Sequence, residues 1–193
     1  MGHRTLALMR PSRHDPLRLD MAAFAADGER QAGHWPGESL TRLADLQSPP
    51  SDGVLADVAW QAQGERRVVP GSEPEIWLAL AVNTPVWLTC QRCLQPMAEP
   101  LALARRIRFV HGESQAESMD AELEEDVLAL SRSLDLRELV EDELLLALPL
   151  VPRHGACPQP LNVSADIAAL PDEAPSKPNP FSALRALKTG GSE

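Results

Sequence analysis

The sequence predicts an α+β protein with an antiparallel β-sheet core, an N-terminal helix, a helix at about residues 135–148 and a flexible, proline-rich C-terminal tail. Three observations lead to this fold class. Apolar and polar residues alternate through the middle of the chain, helical spacing occurs on both sides of that region, and prolines accumulate after Pro152. The length of 193 residues fits one α+β domain, placed at residues 1–160, followed by a tail at residues 161–193.

The N-terminal part is predicted to contain an irregular arm and two short helical segments. Residues 1–14 show little periodicity and are assigned to the arm. Asp15-Pro16 is a favourable helix start, apolar residues follow at helical spacing, and Gly28 can close the helix. Residues 40–46 repeat that spacing until Ser48-Pro49-Pro50 stops it.

The middle of the chain is predicted to consist of extended segments separated by short turns, which favours antiparallel pairing. Gln63-Gly64-Glu65 resembles a turn, and Pro85 suggests either a sheet edge or a break. Residues 111–121 are polar and are predicted to be an exposed loop. The predicted extended segments are residues 54–61, 66–69, 76–90, 101–109 and 126–130.

The helix after residue 134 has the clearest start signal in the chain. Asp135 is a favourable N-cap, and Glu138 occupies the third position of a capping box. Apolar residues then recur with helical spacing until Pro149, which ends the helix. Another short helix is predicted at residues 182–188, within the tail.

The negative charge is concentrated in one segment. Residues 113–143, here called the acidic segment, contain twelve acidic and two basic residues, which equals the net charge of −10. The remainder of the chain is neutral. This balance argues against a protein that coats nucleic acid, and only seven aromatic residues argue against a base-stacking surface. The acidic segment is either a solvated face or a docking surface for a basic partner.

A soluble, cytoplasmic protein is expected. Three cysteines are too few for a secreted disulfide framework, and the first twenty residues lack the apolar stretch of a signal peptide. The most apolar run, residues 144–151, is too short to span a bilayer, so no membrane association is expected.

Two short motifs indicate a candidate metal site. Cys90 and Cys93 form a C-x-x-C pair that can clasp Zn²⁺ from a turn, and His154 with Cys157 adds an H-x-x-C pair. Together they would supply a Cys₃His ligand set. One alternative is that the first pair is merely buried at a strand end while the second lies in a loop. Another is a redox pair, but that requires a helix at the first cysteine, and here Pro96 follows closely.

The main basic cluster consists of Arg105, Arg106 and Arg108, with Arg92 before them. It could contact phosphate or an acidic partner, or it could be a solvated strand face or pair with the acidic segment of the same chain. No nucleophile elbow, P-loop or dinucleotide-binding motif is present in the sequence. We therefore predict neither enzymatic activity nor a small-molecule substrate.

Four stretches in a fixed order resemble one protein family. They are Leu88-Thr-Cys-Gln-Arg-Cys-Leu94, Asp135-Leu-Arg-Glu-Leu-Val-Glu-Asp-Glu-Leu144, Leu148-Pro-Leu-Val-Pro-Arg-His154 with Cys157, and Lys177-Pro-Asn-Pro-Phe181 with Leu184 and Leu187-Lys188. This combination resembles the bacterial large ribosomal RNA subunit accumulation (YceD) family. The resemblance implies a role in the synthesis, processing or stability of 23S ribosomal RNA, and it implies no enzymatic activity.

The leading hypothesis is a non-enzymatic assembly factor for the large ribosomal subunit. It would act as an adaptor for a basic large-subunit ribosomal protein or a pre-ribosomal particle, and would reach 23S ribosomal RNA directly or through that partner. The alternative is a zinc-stabilised RNA-binding module; a processing nuclease lacks candidate catalytic residues. Besides the four arginines, the candidate contact residues are Glu141, Asp142, Glu143, Asn179 and Phe181.

Overall fold

The computed structural model describes residues 13–49 and 53–158, and it confirms the α+β class. Within this part of the chain the strands form one sheet with the order β1-β2-β3-β4-β5. The first four strands pair antiparallel with their neighbours, whereas β5 runs parallel to β4. The strands are β1 Arg30–Trp35, β2 Val58–Arg67, β3 Glu75–Thr89, β4 Pro96–Val110 and β5 Asp126–Ala129.

The parallel pairing of β5 is the one exception within the described sheet to the antiparallel core that was predicted. Its cause lies in residues 111–121, predicted to be a loop, most of which belong to a helix instead. A parallel neighbour requires a connection that crosses back over the sheet, and this helix makes that connection between β4 and β5. The α-helices are α1 Met21–Asp27, α2 Thr41–Leu46, α3 Glu113–Glu122 and α4 Leu136–Leu146.

Helix α1 begins later than Asp15-Pro16, where the sequence predicted its start. The Asp15 carboxylate instead accepts the Leu17 backbone N–H at 3.0 Å, which closes a turn. Asp20 is the actual N-cap and accepts the Ala23 N–H at 3.1 Å. The helix ends at Gly28 as predicted, since its φ of 61° suits the left-handed cap.

Strand β2 runs straight through Gln63-Gly64-Glu65, so the predicted turn is wrong. Gly64 is required there by packing rather than by a turn. A Cβ at this position would lie 2.6 Å from the Phe24 carbonyl oxygen and 2.8 Å from the Ala25 Cα. The missing side chain therefore lets α1 approach the sheet. Residues 54–57, predicted to be extended, precede the strand.

Pro85 lies inside the continuous strand β3, next to the end of β2. The last residue of β3 paired with β2 is Asn83, so no β2 partner is left facing the proline, and Pro100 of β4 lies opposite it. The predicted edge position is therefore confirmed locally, and the predicted break is not found.

The main core lies on one face of the sheet, beneath α1, α2 and α4. It includes Phe24, Leu43, Leu80 and Leu144, all fully buried. On the opposite face, α3 packs only at the β4–β5 edge, where Val110, Ala116 and Val127 form a smaller cluster. The middle of that face carries small and amide side chains that are exposed or half-buried, and elsewhere on it Trp77 is buried beneath arginine side chains.

The predicted N-cap of α4 is confirmed, since the Asp135 carboxylate accepts the N–H groups of Arg137 and Glu138 at 2.9 and 3.1 Å. Among the described residues the Glu138 side chain makes no return hydrogen bond, so the predicted capping box is not completed. Within the described ranges, no helix is long and apolar enough to cross a membrane. The tail at residues 161–193, with its predicted helix at 182–188, lies outside the described residues. So do the first twelve residues of the predicted arm.

Candidate functional site

The turn between β3 and β4 brings the first cysteine pair together. The Cys90 N–H donates to the Gln95 carbonyl at 3.0 Å, and the Leu94 N–H donates to the Cys90 carbonyl at 2.8 Å. Leu94 adopts a φ of 59°, which completes the tight reversal. Both Cys90 and Cys93 are buried, and they lie in a hairpin turn rather than at the start of a helix.

The chain after α4 returns to this turn and brings the second pair with it. The Gln91 N–H donates to the Pro152 carbonyl at 2.9 Å, and the His154 N–H lies 3.4 Å from the Cys90 sulfur. The ligand atoms of four side chains then lie within 4.8 Å of one another. These residues, here called the Cys₃His cluster, are Cys90, Cys93, His154 and Cys157.

Two distances describe the interior of the Cys₃His cluster. The Cys90 and Cys157 sulfurs are 3.9 Å apart, and the Cys93 sulfur is 3.4 Å from His154 Nδ1. Burial alone would raise the pKa of Cys90, but the backbone N–H groups of His154, Arg92 and Cys93 outweigh it and lower that pKa to about 5. For Cys93, burial raises the pKa, and the adjoining sulfurs add to this effect.

Arg92 faces the Cys₃His cluster. Its Nε donates to the Cys157 sulfur at 3.0 Å and its Nη2 donates to the His154 carbonyl at 3.0 Å. The hydrogen bond that Arg92 donates to Cys157 and the charge of that sulfur raise the pKa of Arg92. The guanidinium, which the sequence suggested for a phosphate or a partner, is therefore already held by the chain's own sulfur and carbonyl.

The other three arginines are distributed over both faces of β4 and are paired with acids. Arg105 lies 2.8 Å from Glu143 of the acidic segment, on the helical face of the sheet. Arg106 and Arg108 belong to the opposite face, where each forms a 3.0 Å ion pair with a carboxylate outside the acidic segment. These two and Arg67 also surround the ring of Trp77 at 4.9–5.9 Å.

The three successive acids of α4 connect that helix to neighbouring elements. Glu141 is buried and accepts the Leu43 N–H at 3.0 Å together with two N–H groups of Arg42 at 3.0–3.1 Å. Asp142 pairs with the same Arg42, and Glu143 pairs with Arg105 as described above. These contacts fasten α2 and β4 to α4, a packing role that the sequence did not indicate.

A groove of about 540 Å³ runs between β5 and α4, here called the acidic groove. Its lining contains no basic side chain. Asp126 and Glu138 are exposed, whereas Asp120 accepts the Val127 N–H, Asp135 caps α4, and Asp142 and Glu143 are ion-paired. Its acidic residues are Asp120, Asp126, Asp135, Glu138, Asp142 and Glu143, and its leucines are Leu128, Leu134, Leu139 and Leu146.

The acidic groove adds leucines to the candidate contact residues that were obtained from the sequence. The sequence identified the acidic segment but not the leucines that share its surface, because β5 and α4 meet only in the folded chain. Leu146, which is 77% exposed although it belongs to an amphipathic helix, is the one local feature that points to an apolar contact on this surface. The candidates Asn179 and Phe181 lie outside the described residues.

The comparisons with known proteins agree on one family. The family model of the large ribosomal RNA subunit accumulation protein YceD matches residues 78–188, more than half of the chain. A protein of that name from Haemophilus influenzae is 30% identical over 176 residues, which cover 90% of this chain and 95% of the relative. No solved structure matches the chain. With the match extending from β3 through the Cys₃His cluster and beyond, the chain belongs to the large ribosomal RNA subunit accumulation protein YceD family.

Proposed function

We propose that the protein is a non-enzymatic assembly factor of the large ribosomal subunit that acts in the cytoplasm as an adaptor. It holds a basic large-subunit ribosomal protein, free or within a pre-ribosomal particle, and affects the synthesis, processing or stability of 23S ribosomal RNA through that partner. The family name refers to the large ribosomal RNA subunit, which supports the ribosomal context. It refers to accumulation and not to a reaction, which supports a non-enzymatic role. The acidic groove is the observation that carries the adaptor mechanism.

The composition of the acidic groove suits a basic segment with aliphatic stems. Lysine and arginine side chains can lie with their methylene groups on leucines while their charged ends meet carboxylates. Glu138 and Asp126 are exposed and form no direct ion pair within the described part of the chain, although the charge of Asp126 also acts on Arg105, which pairs with Glu143. Opposite charge across an interface speeds encounter and excludes acidic competitors.

The arginine pairing supports contact through a protein rather than direct contact with RNA. Binding to RNA phosphates needs several lysine or arginine side chains that are free to replace the counterions around the phosphates. Here Arg105, Arg106 and Arg108 each have a carboxylate of the same chain within 3.0 Å. RNA would have to displace these internal pairs and approach a chain of net charge −10.

Capture after nuclease treatment tests the adaptor. Immobilised full-length protein is incubated with cell extract at moderate salt, with and without nuclease, and the retained proteins are identified. We expect a basic large-subunit protein to be retained after nuclease. Leu146→Ser removes an exposed apolar contact of the acidic groove and should reduce that retention severalfold. Leu150→Ser is the matched control, because Leu150 is fully exposed outside the acidic groove.

Two outcomes would reject the adaptor. One is retention of ribosomal proteins that disappears completely after nuclease treatment, since RNA would then be the link. The other is equal retention by the wild type and the Leu146→Ser variant, which would place the contact elsewhere on the molecule.

A further inference from the structure

We propose that Cys90, Cys93, His154 and Cys157 form a structural Zn²⁺ site that fastens the segment after α4 to the β3–β4 turn. The role is mechanical and includes no reaction. It is independent of the acidic groove, whose residues lie mainly on β5, on α4 and in the segment between them, with Ile107 from β4 and Asp120 from α3. Neither the family name nor the adaptor mechanism assigns a metal.

The distances within the Cys₃His cluster fit a tetrahedral zinc ion. With Zn–S bonds of about 2.3 Å and Zn–N bonds of about 2.0 Å, a tetrahedron places two sulfurs about 3.8 Å apart and a sulfur about 3.5 Å from a nitrogen. The Cys90–Cys157 sulfur distance is 3.9 Å and the Cys93–His154 distance is 3.4 Å. A disulfide would require about 2.05 Å, and all three cysteines are free.

The donor set favours zinc and a closed structural site. Three sulfurs and one imidazole are the ligands that soft divalent zinc prefers, and four protein ligands leave no position for water or substrate. The ligands come from two parts of the chain, the β3–β4 turn and the segment after α4. The Gln91–Pro152 backbone hydrogen bond aligns these two parts independently of any side chain. Zinc would add four bonds to that backbone hydrogen bond.

Arg92 supplies the charge balance that such a site needs. A zinc ion with three thiolates and a neutral imidazole carries a net charge of −1. The Arg92 guanidinium donates to the Cys157 sulfur and to the His154 carbonyl, each at 3.0 Å, and so offsets that charge. Arg92 is therefore a positioning residue of the zinc site. Substitution of a residue in that role commonly lowers metal affinity by about 10–100-fold.

Metal analysis of the untagged full-length protein tests the site. We expect one zinc per chain by elemental analysis, and a cobalt-loaded form with the visible absorption and sulfur charge-transfer bands of a four-coordinate Cys₃His centre. His154→Ala should abolish stoichiometric zinc. His111→Ala, which alters an exposed histidine away from the cluster, should leave it unchanged.

The Arg92→Gln variant tests the charge balance without removing a ligand. We expect it to retain the cobalt bands but to bind zinc at least tenfold more weakly in a chelator competition. Arg153→Gln is the matched control, because Arg153 is exposed and adjoins His154 without contacting the sulfurs. Wild-type protein that binds neither zinc nor cobalt, or that forms a Cys90–Cys157 disulfide in reducing buffer, would overturn the proposal. An unchanged affinity of Arg92→Gln would overturn the role of Arg92.

Discussion

At the scale of single residues, neighbouring acids of α4 have different roles because their burial differs. Glu141 is 7% exposed and accepts a backbone N–H from α2. The Asp142 side chain is 49% exposed, and its ion pair is with Arg42, which Glu141 also contacts. A buried acceptor that satisfies a backbone donor is costly to remove, while an exposed ion pair contributes little. The sequence E-D-E alone does not show this difference.

The substitution Glu141→Ala is expected to lower the free energy of unfolding by about 1–3 kcal/mol, because the Leu43 N–H loses its acceptor. Asp142→Ala should cost less than about 1 kcal/mol, since its pair with Arg42 is half-exposed. Urea unfolding followed by tryptophan fluorescence measures both. Glu141→Gln keeps an oxygen for the Leu43 N–H and should lie between them. Equal losses for the two alanine variants would contradict this assignment.

The residue scale also shows what the sequence could predict about the Cys₃His cluster. Both cysteine-containing pairs were recognisable from their spacing. Their meeting in space depends on the Gln91–Pro152 hydrogen bond and on the direction in which the chain leaves α4. The contacts of Arg92 with the cluster were not predictable either, because strand and loop arginines more often point to solvent. Sequence spacing thus identified the four residues of the Cys₃His cluster but not their geometry.

At the scale of elements, predictions held where a strong local signal agreed with the tertiary structure. Helix α4 has its N-cap, its apolar spacing and Pro149 beyond its end, so it was predicted well. Helix α3 was missed because only Ala116 among its residues is buried, which leaves no apolar stripe to recognise. Strand β1 was missed because its sequence Arg30–Trp35 lacks clear alternation. Its place in the sheet comes from its pairing with β2.

The contact between α1 and β2 can be tested at Gly64. Gly64→Ala is expected to lower the free energy of unfolding by about 1–3 kcal/mol or more, because the new Cβ would lie within 2.8 Å of backbone atoms of Phe24 and Ala25. Chemical denaturation measures the loss. Gly155→Ala serves as the control, since a Cβ there meets nothing within 4 Å. A Gly64→Ala variant as stable as that control would mean that α1 packs less closely than described.

At the scale of the whole molecule, positive and negative charge are used differently. Most cations of the sheet are engaged by carboxylates of the same chain, as with Arg105, Arg106 and Arg108. Many carboxylates of α3 and of the chain leading into β5 remain exposed. The surplus negative charge is therefore exposed on α3 and on the chain leading into β5, and only part of it lines the acidic groove. In the proposed adaptor mechanism, the partner would supply the cations that contact ribosomal RNA.

The most direct test of the adaptor is the equilibrium affinity for a purified basic large-subunit protein that survives nuclease capture. We predict that the double variant Asp126→Asn, Glu138→Gln binds about tenfold more weakly than the wild type, because each exposed charge pair is worth up to about 1 kcal/mol. The matched double variant Glu113→Gln, Glu117→Gln removes the same charge from α3 outside the acidic groove and should bind within about twofold of the wild type. Equal weakening by both double variants would show that only overall charge matters. It would contradict a docking site in the acidic groove.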